Sequence, residues 1–197
     1  MRALLKLAST IDWLNARVGH VVRWLILAAV LISAGNAVVR KAFRMSSNAL
    51  LEVQWYLFAA VFLLCAGYVF LNNVHVRIDV LSSRFSPRTR SWIDIGGILL
   101  FVVPLCWLLI QLSWPLVVSA WRSGEVSPNA GGLIRWPVYL LVPVGMLLLL
   151  LQSVSELIKR AAFLLGLRSD PNAHRDDVYG APPLEQPAGS GPRSAGE

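Results

Sequence analysis

Charged residues are scarce in this 197-residue chain, and acidic residues are scarcer still. Charged side chains make up 15% of the sequence, and 11 acidic residues stand against 18 Lys and Arg residues. Only two cysteines and three histidines occur, so neither a disulfide framework nor a Cys/His zinc site is indicated. A Gly-rich phosphate loop, a Ser/His/Asp set and paired catalytic carboxylates are also missing. We therefore expect a protein that is not an enzyme, with no metal and no cofactor.

The formal net charge of +7 does not indicate a nucleic-acid-binding protein. The basic residues lie beside apolar segments rather than in one patch. This placement fits anionic lipid headgroups and signals of membrane orientation. We expect membrane lipids as partners, and no nucleic acid.

Four stretches lack charged residues altogether and are long enough to cross a lipid bilayer. They are residues 24–39, 53–71, 95–121 and 136–155. A helix crosses the hydrocarbon core with roughly 20 apolar residues. The sequence therefore predicts an all-α integral membrane protein with a four-helix membrane domain over 21–168. Its spans are expected at about 21–40, 50–71, 93–121 and 136–158, with helix lengths that suit the bilayer.

The two ends of the chain differ from this domain. In residues 1–20, apolar positions recur at alternating steps of three and four, which predicts an amphipathic helix on the membrane surface or against a partner. These positions are Leu4, Leu7, Ile11, Leu14 and Val18. Residues 169–197 are rich in Pro and Gly and poor in large apolar residues. They cannot bury enough surface to offset the ordering entropy, so we expect a disordered cytoplasmic tail.

The distribution of basic residues predicts the orientation. Thirteen Lys and Arg residues lie in the N-terminal arm, the loop after span 2 and the C-terminal side, against five in the other two loops. Basic residues concentrate on the cytoplasmic side, so both termini are expected there. Trp24 and Trp92 then mark the inner interface, whereas Trp121 and Trp136 mark the outer one.

Proline and serine predict where two helices begin. Ser86 and Pro87 form an N-cap and first-turn pair for the third helix, and Pro137 suits the first turn of the fourth. Pro104, Pro115 and Pro143 lie inside predicted helices, so we expect bends there.

The spans carry few polar residues: Ser33, Asn36, Gln111 and Ser113. Because no acidic residue lies near the centre of a span, we do not expect this chain alone to couple transport to sodium or protons. Asn36 and Gln111 are interpreted as interhelical hydrogen-bonding groups rather than substrate ligands. The small residues Ala29, Ser33 and Ala37 suit close helix contact.

A membrane anchor of a redox complex is the main alternative function. Such subunits hold haem between two histidines, and His20 and His75 both lie near the predicted inner face. Neither lies inside a span, where a buried haem needs its axial ligands. An independent small transporter is a further alternative.

Two ordered sets of motifs are more specific. The first contains Glu52-Val-Gln-Trp-Tyr56 near the start of span 2, then Asn72-Asn-Val-His75-Val-Arg77-Ile-Asp79, Ser86-Pro-Arg88 and Trp92-Ile-Asp94. The second is Gly131-Gly-Leu-Ile-Arg-Trp136-Pro137 with Val142-Pro143-Val-Gly145. With four spans, these motifs resemble the small membrane subunit of TRAP transporters, the DctQ family, over roughly residues 10–165.

The resemblance implies a three-part uptake system of the bacterial inner membrane. A periplasmic substrate-binding protein delivers an organic acid to a large permease subunit, which moves it with sodium ions by an elevator-type motion. The small subunit packs beside the fixed scaffold of the large one and is required for uptake without forming the sodium sites. We expect the same bracing role here.

Four polar residues are predicted to contact the large subunit: Glu52, His75, Arg77 and Asp79. Two interpretations stay open for each. Glu52 is either a solvated interfacial carboxylate or the partner of a basic group on the large subunit. The other three either form a local loop network or contact the partner. The pair Gly131-Gly132 is expected to supply a turn before the fourth span rather than a ligand site.

Overall fold

The computed structural model describes residues 2–43, 48–72, 86–129 and 132–167, and most of these are helical. Within these ranges the α-helices are α1 (Arg2–Phe43), α2 (Asn48–Leu71), α3 (Pro87–Gly97), α4 (Val103–Ser123) and α5 (Trp136–Leu164). A π-helical segment, Ile98–Val102, joins α3 to α4. The predicted tail over 169–197 lies outside the described residues.

The fold is an all-α membrane protein with four spanning helices, as the sequence predicted. Four helical stretches are long and apolar enough to cross a membrane: Ala3–Ala42, Asn48–Leu71, Pro87–Ser123 and Trp136–Leu164. The third comprises α3, the π-helical segment and α4. Consecutive spans run in opposite directions, as contacts such as Asp12–Lys159, Glu52–Leu133 and Trp121–Trp136 show, so α1 begins and α5 ends at the same end of the bundle. We call this the terminal end, and the opposite end, which carries residues 124–129 and 132–135, the hairpin end.

Helix α1 is one continuous helix rather than an arm followed by a span. Its 42 residues extend over about 63 Å at 1.5 Å per residue. It contains no proline that would interrupt the backbone hydrogen bonds. Asn15 and Val22, on either side of the expected junction, are buried on the same face. From Arg2 onward, the arm expected over 1–20 is the first part of this helix, and its position at the membrane surface or against a partner stays a prediction.

The buried face of α1 repeats every seven residues. Ala8, Asn15, Val22, Ala29 and Asn36 follow one another at this spacing, and none is more than 8% exposed. A seven-residue repeat keeps one seam of a helix against its partners when the helices supercoil with a left hand. Along this seam α1 packs against α2 and α5.

The predicted stripe of large apolar residues on α1 lies mostly outside that seam. Leu4, Leu7 and Leu14 are exposed, whereas Ile11 is buried. The exposed leucines are therefore free to face a membrane or a partner. The bundle packs instead around small and polar side chains.

The predicted helix starts are confirmed, and Pro115 and Pro143 lie inside helices, where the expected bends stay a prediction. The Oγ atom of Ser86 caps α3 by accepting a hydrogen bond from the Thr89 backbone N–H at 3.3 Å, with Pro87 in the first turn. Pro137 occupies the first turn of α5. Pro104 is the second residue of α4, one residue beyond the π-helical segment, whose wider turn accommodates the missing N–H of the ring.

Helix α5 organises the bundle. It contacts α1, α2, α3 and α4, whereas the main packing partner of α4 is α5. At the hairpin end, the Trp121 and Trp136 rings meet edge to face with centroids 4.6 Å apart. This contact agrees with the prediction that both rings lie at the same interface.

Candidate functional site

Polar side chains gather at the two ends of the bundle, and each group joins helices that are distant in sequence. The group at the terminal end, which we call the terminal cluster, comprises Asp12, Asn15, Asp94, Gln152, Ser155, Glu156, Lys159 and Arg160. The group at the hairpin end, which we call the loop clasp, comprises the side chains of Glu52, Ser127 and Asn129 and the backbone N–H of Leu133.

Asp12 on α1 is the main acceptor of the terminal cluster. Its Oδ1 accepts hydrogen bonds from Gln152 Nε2 at 2.8 Å and from Ser155 Oγ at 2.7 Å. Its Oδ2 lies 3.1 Å from Lys159 Nζ. All three donors lie on α5, so one carboxylate fastens the N-terminal part of α1 to the C-terminal part of α5. Lys159 also contacts Glu156 at 2.5 Å.

Arg160 extends the cluster to α3. Its side chain is only 1% exposed and forms an ion pair with Asp94 through Nη1. Its Nη2 lies 3.6 Å from Glu156. A buried charge is costly unless it is paired, because the surrounding protein solvates it poorly. The acidic partners on α3 and α5 therefore fix the position of this guanidinium and, with it, the position of α3 on α5.

Three helices meet at Asn15. Its Nδ2 donates a hydrogen bond to Gln152 Oε1 at 2.9 Å, and both side chains are fully buried. The Asn15 amide also presses against Gly67 of α2, where a Cβ atom would collide with it. A glycine at this position lets α2 approach α1 and α5 closely enough to cover the amide pair.

A short hairpin connects α4 to α5. Val126 and Ile134 form an antiparallel bridge, and Ser127 N–H donates to the Leu133 carbonyl at 2.9 Å. Gly132 N–H donates to the Asn129 carbonyl at 2.9 Å, which closes the turn. A Cβ atom at Gly132 would collide with the Ser127 carbonyl. The predicted turn is therefore confirmed at Gly132, while Gly131 lies outside the described residues.

Glu52 holds this hairpin against α2. Its carboxylate accepts hydrogen bonds from Ser127 Oγ, from Asn129 Nδ2 at 2.6 Å and from the Leu133 backbone N–H at 2.9 Å. The side chain is buried, with 5% of the residue exposed. The structure thus contradicts the interpretation of Glu52 as a solvated carboxylate. Its acceptor capacity is used within the chain, and its contact with a partner subunit stays a prediction.

Two weaker contacts support the same hairpin. Tyr56 donates from its hydroxyl to the Ile134 carbonyl at 3.3 Å. Arg135 forms an ion pair with Glu125 at 2.9 Å, and this hydrogen bond raises the pKa of the Arg135 guanidinium. Both charged side chains are partly exposed, so water screens the pair and its contribution to stability is small.

The structure does not show the predicted contacts of the other polar residues. His75, Arg77 and Asp79 lie outside the described residues. Asn36 is buried, yet its Oδ1 has no hydrogen-bond partner within the described ranges. Gln111 is exposed on α4. Among the described residues neither amide forms the interhelical bond expected of it, whereas Asn15 and Gln152 do form such a pair.

The one histidine among the described residues, His20, gives no support to the alternative of a haem-binding redox anchor. His20 is exposed, and its Nδ1 lies 2.6 Å from the Ala16 carbonyl of its own helix. In the part of the chain that the structure describes, no group of three or more His, Cys, Asp or Glu side chains could hold a metal ion. The chemistry that the polar groups do provide is the fastening of helices to one another.

Comparison with known families gives one match. The family model for the DctQ component of tripartite ATP-independent periplasmic transporters matches residues 29–163, which is more than half of the chain. No curated protein and no solved structure matches significantly. The matched range includes the loop clasp and most of the terminal cluster, while Asp12 and Asn15 lie before it.

Proposed function

This chain belongs to the DctQ family, the small membrane component of tripartite ATP-independent periplasmic (TRAP) transporters, and on this basis we propose that it braces the scaffold of a large permease subunit. The transporter would carry out sodium-coupled uptake of an organic acid delivered by a periplasmic substrate-binding protein. The large subunit would move the substrate across the membrane. This chain would supply a rigid, membrane-embedded support for the part that stays still.

The observation that supports bracing is the fastening of the bundle at both ends. At the terminal end, Asp12 and Arg160 tie α1 and α3 to α5. At the hairpin end, Glu52 ties the loop before α5 to α2. Removing one partner of a buried ion pair typically costs about 3–5 kcal/mol, so such contacts resist relative movement of the helices.

The middle of the bundle supports an accessory role. The charge-free stretches 24–39, 53–71, 95–121 and 136–155 leave the centre of every span without an ionisable carboxylate. Ion-coupled carriers usually place such groups on the ion pathway. We assign the sodium and substrate sites to the large subunit for this reason.

The proposed location is the bacterial inner membrane, with both termini in the cytoplasm. The terminal end carries most of the basic residues, including Lys159 and Arg160. These are the positions at which the positive-inside rule expects the cytoplasm. The hairpin end then faces the periplasm, where the binding protein docks. His75, Arg77 and Asp79 stay predicted contacts of the large subunit.

Uptake measurements test this proposal. We expect deletion of this chain to abolish uptake of the radiolabelled organic acid by intact cells, while ligand binding to the purified periplasmic protein is unchanged. Re-expression of the chain should restore uptake. Sodium-dependent substrate binding by the purified large subunit should persist without it.

Three results would contradict the proposal. The first is normal uptake by cells that lack the chain. The second is substrate flux into liposomes that contain this chain alone, which would indicate an independent transporter. The third is a Soret absorption band in the purified protein, which would indicate a haem-binding anchor.

A further inference from the structure

Gln111 is a polar side chain on the outer surface of α4. It lies three residues beyond the midpoint of the charge-free stretch 95–121, a distance of about 4.5 Å along the helix. It is therefore placed deep within the span rather than near either interface. At such a depth an amide has no water with which to form hydrogen bonds.

The Gln111 side chain points away from its own bundle. The buried side of α4 is marked by Cys106 and Val117. At about 100° per residue, Gln111 lies roughly 140° around the helix from Cys106 and roughly 120° from Val117. Since α4 packs mainly against α5, the opposite side of α4 is left open.

The Gln111 amide has no hydrogen-bond partner among residues 2–43, 48–72, 86–129 and 132–167. Ser113, the other polar residue of this region, differs because its Oγ donates to the Leu109 carbonyl of the same helix at 2.6 Å. An acyl chain cannot pair with an amide, so facing lipid would carry a desolvation penalty. A neighbouring protein helix, which can offer a hydrogen-bonding side chain, therefore suits the Gln111 amide better than lipid does.

Two tryptophans stand on the same face as Gln111. Trp107 precedes it by four residues and Trp114 follows it by three, and they are 60% and 55% exposed. Trp in membrane proteins is enriched at the two interfaces, where its N–H reaches water. Trp121 and Trp136 follow that rule at the hairpin end, whereas Trp107 and Trp114 lie deeper in the span. Large aromatic side chains with an N–H donor are typical anchors of protein interfaces.

We propose that the face formed by Trp107, Gln111 and Trp114 docks a transmembrane helix of the large permease subunit, and that this helix supplies a polar side chain to the Gln111 amide. The inference rests on the proposed function, because the large subunit is the membrane partner that function requires. It adds the surface through which the partner is held. The exposed end of the amide offers both a donor and an acceptor, so a Ser, Thr, Asn or Gln side chain on the partner would complete the pair.

Photocrosslinking in the intact complex tests the assignment. A benzoylphenylalanine residue is introduced at position 107, 111 or 114, and at position 62 as the matched control. Phe62 lies on α2 and is 81% exposed, so it should face lipid. We expect crosslinks to the large subunit from the first three positions and none from position 62.

The Gln111→Leu variant provides a second readout. Because the amide has no hydrogen-bond partner among the described residues, the thermal stability of the purified small subunit should not change. Affinity for the large subunit should fall about threefold to tenfold, the range expected for one hydrogen bond between membrane helices. Phe62→Leu should leave both quantities unchanged.

Four outcomes would overturn the assignment. Crosslinks from position 62 but not from 107, 111 or 114 would place the interface elsewhere. Crosslinks between two copies of this chain would make the face a self-association surface. An intact complex with no crosslink from position 111, or with full affinity after Gln111→Leu, would also exclude it. If the wild-type chain and the large subunit do not form a complex at all, the proposed function fails as well.

Discussion

The Nδ2 atom of Asn15 lies 2.9 Å from Oε1 of Gln152, and this hydrogen bond joins the first helix to the last across 137 residues of sequence. Gly67 of α2 covers the pair. Burying either amide alone would leave its hydrogen-bonding groups unpaired, which is costly. The bond between them satisfies part of this need, and a third helix packs over the pair. The bond therefore marks the point at which three of the four spans are held in register.

Gly67 should be intolerant of a side chain. We expect Gly67→Ala to lower the stability of the purified chain by about 1–3 kcal/mol, because the added methyl group collides with the Asn15 amide and lies 3.1 Å from the Leu148 carbonyl. Thermal unfolding in detergent, followed by tryptophan fluorescence, measures the change. Gly35→Ala is the matched control, since a Cβ atom there has no neighbour within 4 Å. Equal stability of the two variants would contradict the packing described.

Asp12 should carry most of the attachment of α1 to α5. Asp12→Ala removes the acceptor shared by Lys159, Gln152 and Ser155, while Lys159 keeps Glu156, so we expect a loss of about 1.5–3 kcal/mol. The same thermal unfolding assay measures it. Thr10→Ala is the control, because that hydroxyl is exposed and bonds to the Lys6 carbonyl of its own helix. A loss no larger than that of the control would show that the cluster adds nothing to stability.

Glu52 should hold the hairpin closed. We expect Glu52→Ala to speed hydrogen exchange of the Leu133 amide by about 10-fold to 100-fold, since this N–H loses its charged acceptor. Exchange measured by mass spectrometry on peptides from residues 124–135 tests this. Glu125→Ala removes a partly exposed ion pair from the same hairpin and should have little effect. Protection of Leu133 that survives Glu52→Ala would assign the hairpin's order to its own backbone bonds.

Helix starts were predictable from sequence because they depend on neighbouring residues. Ser86 caps the backbone three positions ahead, and Pro87 and Pro137 each occupy a first turn where no N–H is needed. The number of spans follows equally directly from the length of the charge-free stretches. These features need no knowledge of which helices touch.

The packed face of α1 could not be predicted from hydrophobic periodicity. In water, large apolar residues mark the side of a helix that faces the core. In a membrane they also face lipid, and here Leu4, Leu7 and Leu14 are exposed while Ala8 and Asn15 are buried. Small side chains permit close approach of the helices, and this seven-residue pattern was visible in the sequence only as scattered Ala, Asn and Val.

The polar clusters were missed because their partners are far apart in the chain. Lys159 and Arg160 were counted as signals of membrane orientation, yet each is buried in an ion pair with a residue from another helix. Glu52 bonds residues 75 to 81 positions away. One local signal was present in the sequence. Lys159 and Arg160 follow Glu156 by three and four residues, a spacing that favours ion pairs on one helix.

The pairing of Asp12 and Asn15 with residues beyond position 150 has a consequence for biogenesis. A nascent chain that has inserted its first three spans still lacks every α5 group that those two side chains bind. The early intermediate therefore presents the Asp12 carboxylate without its α5 donors, and the Asn15 amide without Gln152, until α5 has been inserted. Chains truncated before Gln152 would keep that exposed polarity, which offers membrane proteases and insertion chaperones a chemical mark by which to distinguish unfinished subunits from finished ones.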